Sequence, residues 1–162
     1  MRRLVSTVFA FTTLSAATAA QTPAPATAHP ELAGTWILDT KNSAGMGIPQ
    51  SMTLRITTDA KFMTFARVAA TQMGEQRSTL IVKLDGSPTK NTIGTQGMTV
   101  DLNLTASWDG PTLVVKTATS IAGQAMNQTD RLSLAPDGKT LRMEMSVVGP
   151  QVGSAKLTFT KQ

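Results

Sequence analysis

The chain has no cysteine, no tyrosine and a single histidine, His29. Without cysteine there are no disulfides and no thiol nucleophile, so stability must come from core burial and backbone hydrogen bonding. A lone imidazole in a Pro-rich stretch leaves no pair for a histidine metal site and no base for a serine nucleophile. Aromatic residues make up only 4% and charged residues 15%. No basic run with interleaved aromatics occurs, which argues against a nucleic-acid surface. No stretch approaches the roughly 20 apolar residues of a spanning helix, and no transmembrane segment is expected. A convincing 3.6-residue apolar period is missing too, so the fold is expected to be built without helices.

What is present begins with targeting. Arg2 and Arg3 precede an apolar run from Leu4 to Leu14, and Ala17-Thr18-Ala19-Ala20 come next, the layout of a secretory signal and its cleavage site. Residues 1–20 are read as a signal peptide, 21–30 as an Ala/Pro-rich linker containing His29, and 31–162 as one domain. Loss of Arg2 and Arg3 would lower the net charge of +5 by two, and the remaining charges are scattered. The expected location is periplasmic or secreted.

Four aspartate-led reversals then punctuate the domain: Asp59-Ala60, Asp85-Gly86, Asp109-Gly110 and Asp137-Gly138. Asp-Gly between alternating runs is a strong hairpin signal, because Gly takes the positive φ that tight turns need. Their spacing of about 26 residues corresponds to two strands and two turns. From Met98 to Trp108 the apolar positions Met98, Val100, Leu102, Leu104, Ala106 and Trp108 alternate with polar ones, a period of two that only a strand can use. Met52, Leu54 and Ile56 repeat the pattern, as do Leu141, Met143, Met145 and Val147. The runs Phe62 to Ala69, Thr79 to Leu84 and Thr112 to Thr119 alternate less cleanly.

Nine or ten antiparallel strands, each with one apolar face, make an all-β up-and-down meander barrel the simplest arrangement, because closure removes both sheet edges. A two-sheet β-sandwich is the alternative. In the barrel, the aspartate turns gather at one end. The other connections, at 41–50, 70–76, 94–97, 120–127 and 149–153, gather at the opposite end.

Gly34-Thr35-Trp36, followed by Leu38 and Asp39, resembles the Gly-x-Trp opening of the calycins, which include lipocalins and fatty-acid-binding proteins. The resemblance implies that Trp36 closes the barrel floor and that Lys161, in register with Leu157 and Phe159, crosses its ring. Trp108-Asp109-Gly110 and Leu84-Asp85-Gly86 are similar to fatty-acid-binding-protein turns, which adds Trp108 to the floor. The chain departs from that group by lacking room for a two-helix lid in 41–50 and an Arg-x-Tyr pair near the C-terminus. Fatty-acid binding is therefore not carried over. The match is better to small exported bacterial proteins of lipocalin-like shape.

Catalysis finds little material. The turn aspartates are accounted for by geometry, and Asp101 and Glu144 by wet strand faces, leaving Asp39, Asp130 and Glu31 as loose candidates. The protein is expected not to be an enzyme and to need no cofactor. The free end is more distinctive: Met46, Met73, Met98 and Met126 fall on four of its five connections. Gln50, Gln72, Gln96, Gln124 and Gln151 add an amide to each. Adaptable thioethers suit a mouth that admits a small apolar or neutral ligand, with Leu54, Leu102, Met143 and Met145 lining the interior below. A packed interaction module without ligand is the alternative. Cu(I) binding by the loop methionines is a lesser one.

Overall fold

Alternation along the sequence becomes alternation across a wall. The computed structural model describes residues 29–95 and 97–162. The expected signal peptide, the expected linker up to residue 28 and Gln96 lie outside the described residues. The strands are β1 (Gly34–Leu38), β2 (Ala44–Gly45), β3 (Ser51–Thr58), β4 (Phe62–Thr71), β5 (Gly74–Lys83), β6 (Thr89–Thr95), β7 (Met98–Asp109), β8 (Thr112–Ile121), β9 (Gln124–Leu134), β10 (Thr140–Val148) and β11 (Gly153–Lys161). A 3-10 turn at Thr40–Asn42 is the single helical piece among the described residues.

Around the wall the order is β5-β4-β3-β1-β11-β10-β9-β8-β7-β6, with β2 added to β11, and every pairing is antiparallel. This is the up-and-down barrel, not the sandwich. Its remaining seam, between β5 and β6, is held by side chains in place of a backbone ladder. Asn91 accepts from the Ile81 amide at 2.7 Å and donates to the Ile81 carbonyl at 2.8 Å, while Thr89 Oγ1 accepts from Lys83 N at 3.2 Å.

The aspartate turns do occupy one pole, and three of them are fastened by their own carboxylates. Asp59 accepts from the Lys61 and Phe62 amides, Asp85 from the Ser87 amide and hydroxyl, and Asp137 from the Lys139 and Thr140 amides. These hydrogen bonds hold each carboxyl below its ordinary pKa. Asp109 departs from the pattern and pairs with Arg131 at 2.7 Å.

Loop lengths reverse the expectation. The aspartate pole has connections at 59–61, 84–88, 110–111 and 135–139, whereas three at the opposite pole, 72–73, 96–97 and 122–123, are two-residue hairpins. The Gln, Ser and Thr residues read as loop continue the ladder instead, because backbone pairing does not require apolar side chains. Ala122 holds φ at 51° ahead of Gly123 at 79°, the backbone of a type I′ turn that normally prefers Asn or Gly at its first position.

The floor is solid. Trp36, Leu54, Ile56, Leu104, Leu113, Leu132, Leu141 and Phe159 are fully buried and pack as one cluster, each burial stabilising by about 1.5–3 kcal/mol. Leu32 folds under them, and its carbonyl accepts the Trp36 indole N–H at 2.9 Å. Lys161 Nζ stands 5.2 Å from the Trp36 ring centroid, and its Cε lies where a Cβ on Gly34 (φ +145°) would sit at 2.8 Å. His29 stacks on Trp108 with centroids 4.3 Å apart. The residue expected to be a solvated linker histidine is thus laid against the barrel end.

Candidate functional site

The upper half of the lumen is built differently. Lumen-facing positions there carry Ser78 on β5, Thr117 and Thr119 on β8, and Gln128 and Asp130 on β9, with Arg67 on β4. All of these except Asp130 line, together with Leu80, Ile93, Val100, Leu102, Ile121 and Met126, a cavity of about 180 Å³. That is smaller than the roughly 300 Å³ at which drug-sized pockets begin. A second hollow of about 330 Å³ lies at the mouth on the β2, β10 and β11 side, lined by Met46, Gly47, Met145, Val147, Gln151, Gly153 and Ser154.

The electrostatics centre on two residues from opposite walls. Asp130 is buried, between Val115 and Met145 across the ladders. Both its oxygens accept from the Gln128 amide, at 2.8 and 2.9 Å. Burial pushes its carboxyl pKa up, opposed by the Gln128 hydrogen bond and by the Arg67 charge. Arg67, flanked by Leu54 and Ser78, has a buried Nε with no hydrogen-bond acceptor among the described residues. Buried N–H groups without an acceptor are rare, since each retains its desolvation cost.

No protein-family model matches the sequence, and no curated protein sequence matches it. Solved structures do. A secretory abundant heat soluble protein from Ramazzottius varieornatus superposes with a TM-score of 0.55 at 12% identity, covering 81% of this chain and 95% of that one. Secretory abundant heat soluble protein 4 from the same organism gives 0.53 at 16%, covering 86% and 99%. The chain has the calycin-type barrel fold. A Schistosoma mansoni fatty acid binding protein in complex with arachidonic acid is also similar, at a TM-score of 0.48 and 12% identity, covering 80% and 95%.

Within the barrel, the residues singled out from sequence separate into four groups. Met126 and Leu102 line the inner cavity, and Met46 and Met145 the mouth hollow; a Cβ on Gly153 would come within 2.5 Å of the Met46 Cε. Met73 and Met98 are 70% and 57% exposed at the rim and line neither cavity. Gln72 and Gln124 are likewise exposed. Leu54 and Met143 are core, with Leu54 fully buried as the cross-strand neighbour of both Trp36 and Arg67. Trp36, Trp108 and Lys161 gather at the floor with Leu32 and His29.

Sequence reasoning named Asp130 as a loose candidate and missed Arg67 and Gln128 altogether. A signal existed. Arg67 sits at an inward position in Phe62 to Ala69, one of the runs whose alternation is imperfect, and Gln128 and Asp130 continue the inward row of Leu132 and Leu134. Of the other candidates, Asp39 caps the 3-10 turn through the Lys41 and Asn42 amides, and Glu31 accepts from Ala33 N. Among the described residues no group of three His, Cys, Asp or Glu side chains is placed to hold a metal ion, and no helix is long and apolar enough to cross a membrane.

Proposed function

We propose that this chain is a non-catalytic binding protein that takes a small apolar or neutral molecule into the loop-end half of its barrel. One observation carries the reading: above a closely packed floor, the lumen keeps a side-chain-lined space of about 180 Å³ with Arg67 in its wall, whose Nε has no acceptor among the described residues. The mouth hollow with Met46 and Met145 offers an adaptable approach to it. Location in the periplasm or outside the cell belongs to the same proposal and rests on the leader pattern of residues 1–20.

Titration with ethylbenzene, followed by the ¹³C-methyl signals of the methionines, tests the reading. The Met126 signal is expected to shift saturably, and Val100→Phe, which fills the cavity from β7, to abolish the shift. A Met126 signal that never moves would remove the inner cavity as a binding site. A second reading has its own support: Met46, Met73, Met98, Ile121, Val148 and Val152 are exposed apolar side chains at the loop pole, a crown suited to docking another protein. Cu(I) binding would require these thioethers to converge on one ion, and stoichiometric uptake lost on methionine replacement is its test.

A further inference from the structure

We infer that the inner cavity selects neutral molecules bearing a hydrogen-bond acceptor, such as a ketone, ester or amide on a small apolar body, and discriminates against carboxylates. This rests on the binding reading above and names the ligand class of the same cavity.

Arg67 on β4 and Asp130 on β9 face each other across the lumen, with four strands between them in either direction around the wall. Apart from Lys161 at the floor, they are the ionisable side chains on lumen-facing positions among the described residues. Their charges act on one another, although no ion pair within 4.0 Å joins them among the described residues. The arrangement is asymmetric. Asp130 has both oxygens engaged by Gln128, while Arg67 lines the cavity and its Nε has no acceptor among the described residues. The cavity wall thus presents a guanidinium, which only donates, and calls for an acceptor oxygen.

An ionised acceptor would meet that demand but add a second negative charge to a low-dielectric space where the arginine already faces a carboxylate. A carbonyl oxygen accepts from the guanidinium without that addition. Leu80, Ile93, Val100 and Leu102 supply an apolar seat for the remainder. An apolar cavity of about 150 Å³ holds benzene, so a space near 180 Å³ fits a singly substituted ring.

Three near-isosteric probes decide the matter in the full-length protein at pH 8: acetophenone, ethylbenzene and benzoate, each titrated against the Met126 methyl signal. Acetophenone is expected to bind at least about tenfold more tightly than either of the others, since a site built to hydrogen-bond a group rejects the analogue lacking it. Asp130→Asn is expected to strengthen benzoate relative to acetophenone by at least about tenfold, and Arg67→Met to erase the preference of acetophenone over ethylbenzene. Benzoate binding as well as acetophenone in the unaltered protein overturns the inference, and so does equal binding of ethylbenzene, although either result leaves the cavity a binding site. If none of the three moves the Met126 signal, the binding reading fails and takes the inference with it. The unaltered protein alone suffices for these outcomes, whether or not a variant folds.

Discussion

The two halves of this barrel share a wall but not an interior. Below the level of Arg67, inward side chains are large, apolar and sealed from solvent, and the N-terminal segment with Leu32 and His29 lies across the end. Above it, the same strands present Ser78, Thr117, Thr119 and Gln128 around open space. One half makes the fold stable and the other leaves room, and a single ladder running through both lets the second borrow rigidity from the first. Binding surfaces held by a rigid scaffold lose less freedom on occupation.

The largest way to break the comparison is in the floor. Trp36→Ala or Phe159→Ala is expected to cost about 3–5 kcal/mol in denaturant unfolding, because each empties a fully buried site. Met126→Ala, half-buried at the cavity, is expected to cost about 1 kcal/mol or less. Equal costs would mean that the halves are packed alike. Next is Gly45→Ala on β2, where a Cβ would collide with the Ser154 carbonyl and the Ala155 backbone. It is expected to detach β2 from β11 at about 1–3 kcal/mol, read as faster hydrogen exchange at Met46, whose amide donates to Ser154 O.

Asn91→Ala removes both hydrogen bonds that pin the seam to Ile81. A loss of about 1–2 kcal/mol is expected, with amide exchange accelerating at Ile81 and staying slow in the β8–β9 ladder. Seam exchange unchanged by the substitution would show that β5 and β6 hold together without it.

The smallest effects sharpen the contrast through pH. Asp130, in the upper half, has its pKa raised by burial, so the native state binds this proton more tightly than the unfolded chain does. Its contribution to stability is therefore lost as pH rises through the raised value and is regained on acidification toward 3.8. Asp59, Asp85 and Asp137 have lowered values; their contributions are present above 3.8 and disappear as pH falls through their native values. Asp130→Asn is accordingly expected to raise Tm relative to the unaltered protein more at pH 7 than at pH 4. Asp137→Ala, by contrast, should lower Tm slightly at pH 7 and by progressively less as pH falls below 3.8. A pH-independent difference for Asp130→Asn would mean that its carboxyl is not perturbed by burial.

Much of the floor half was legible from residue order. The period of two in Met98 to Trp108 and Leu141 to Val147 marks faces that must be buried, and Asp-Gly pairs mark reversals by chain conformation alone. The mouth half was legible only in outline. Met46, Met98 and Met126 do reach the loop pole with Met73, but side-chain type does not tell which of them turns inward, and polar residues at inward positions look like loops or imperfect strands. Arg67 illustrates this: its own segment offers a broken pattern and nothing more, because its significance comes from Asp130, on a strand that only barrel closure brings opposite.

By itself the sequence determined the features set by local chemistry: an all-β meander, its turns, the pole each turn occupies, and the apolar stripe that forms the floor. Those properties depend on neighbours a few residues apart. Closure, the side-chain seam at Asn91, the space left above the core, and the meeting of Arg67 with Asp130 were decided by tertiary structure. Each of these depends on which strands lie across from one another, a distance through space that residue spacing along the chain does not encode.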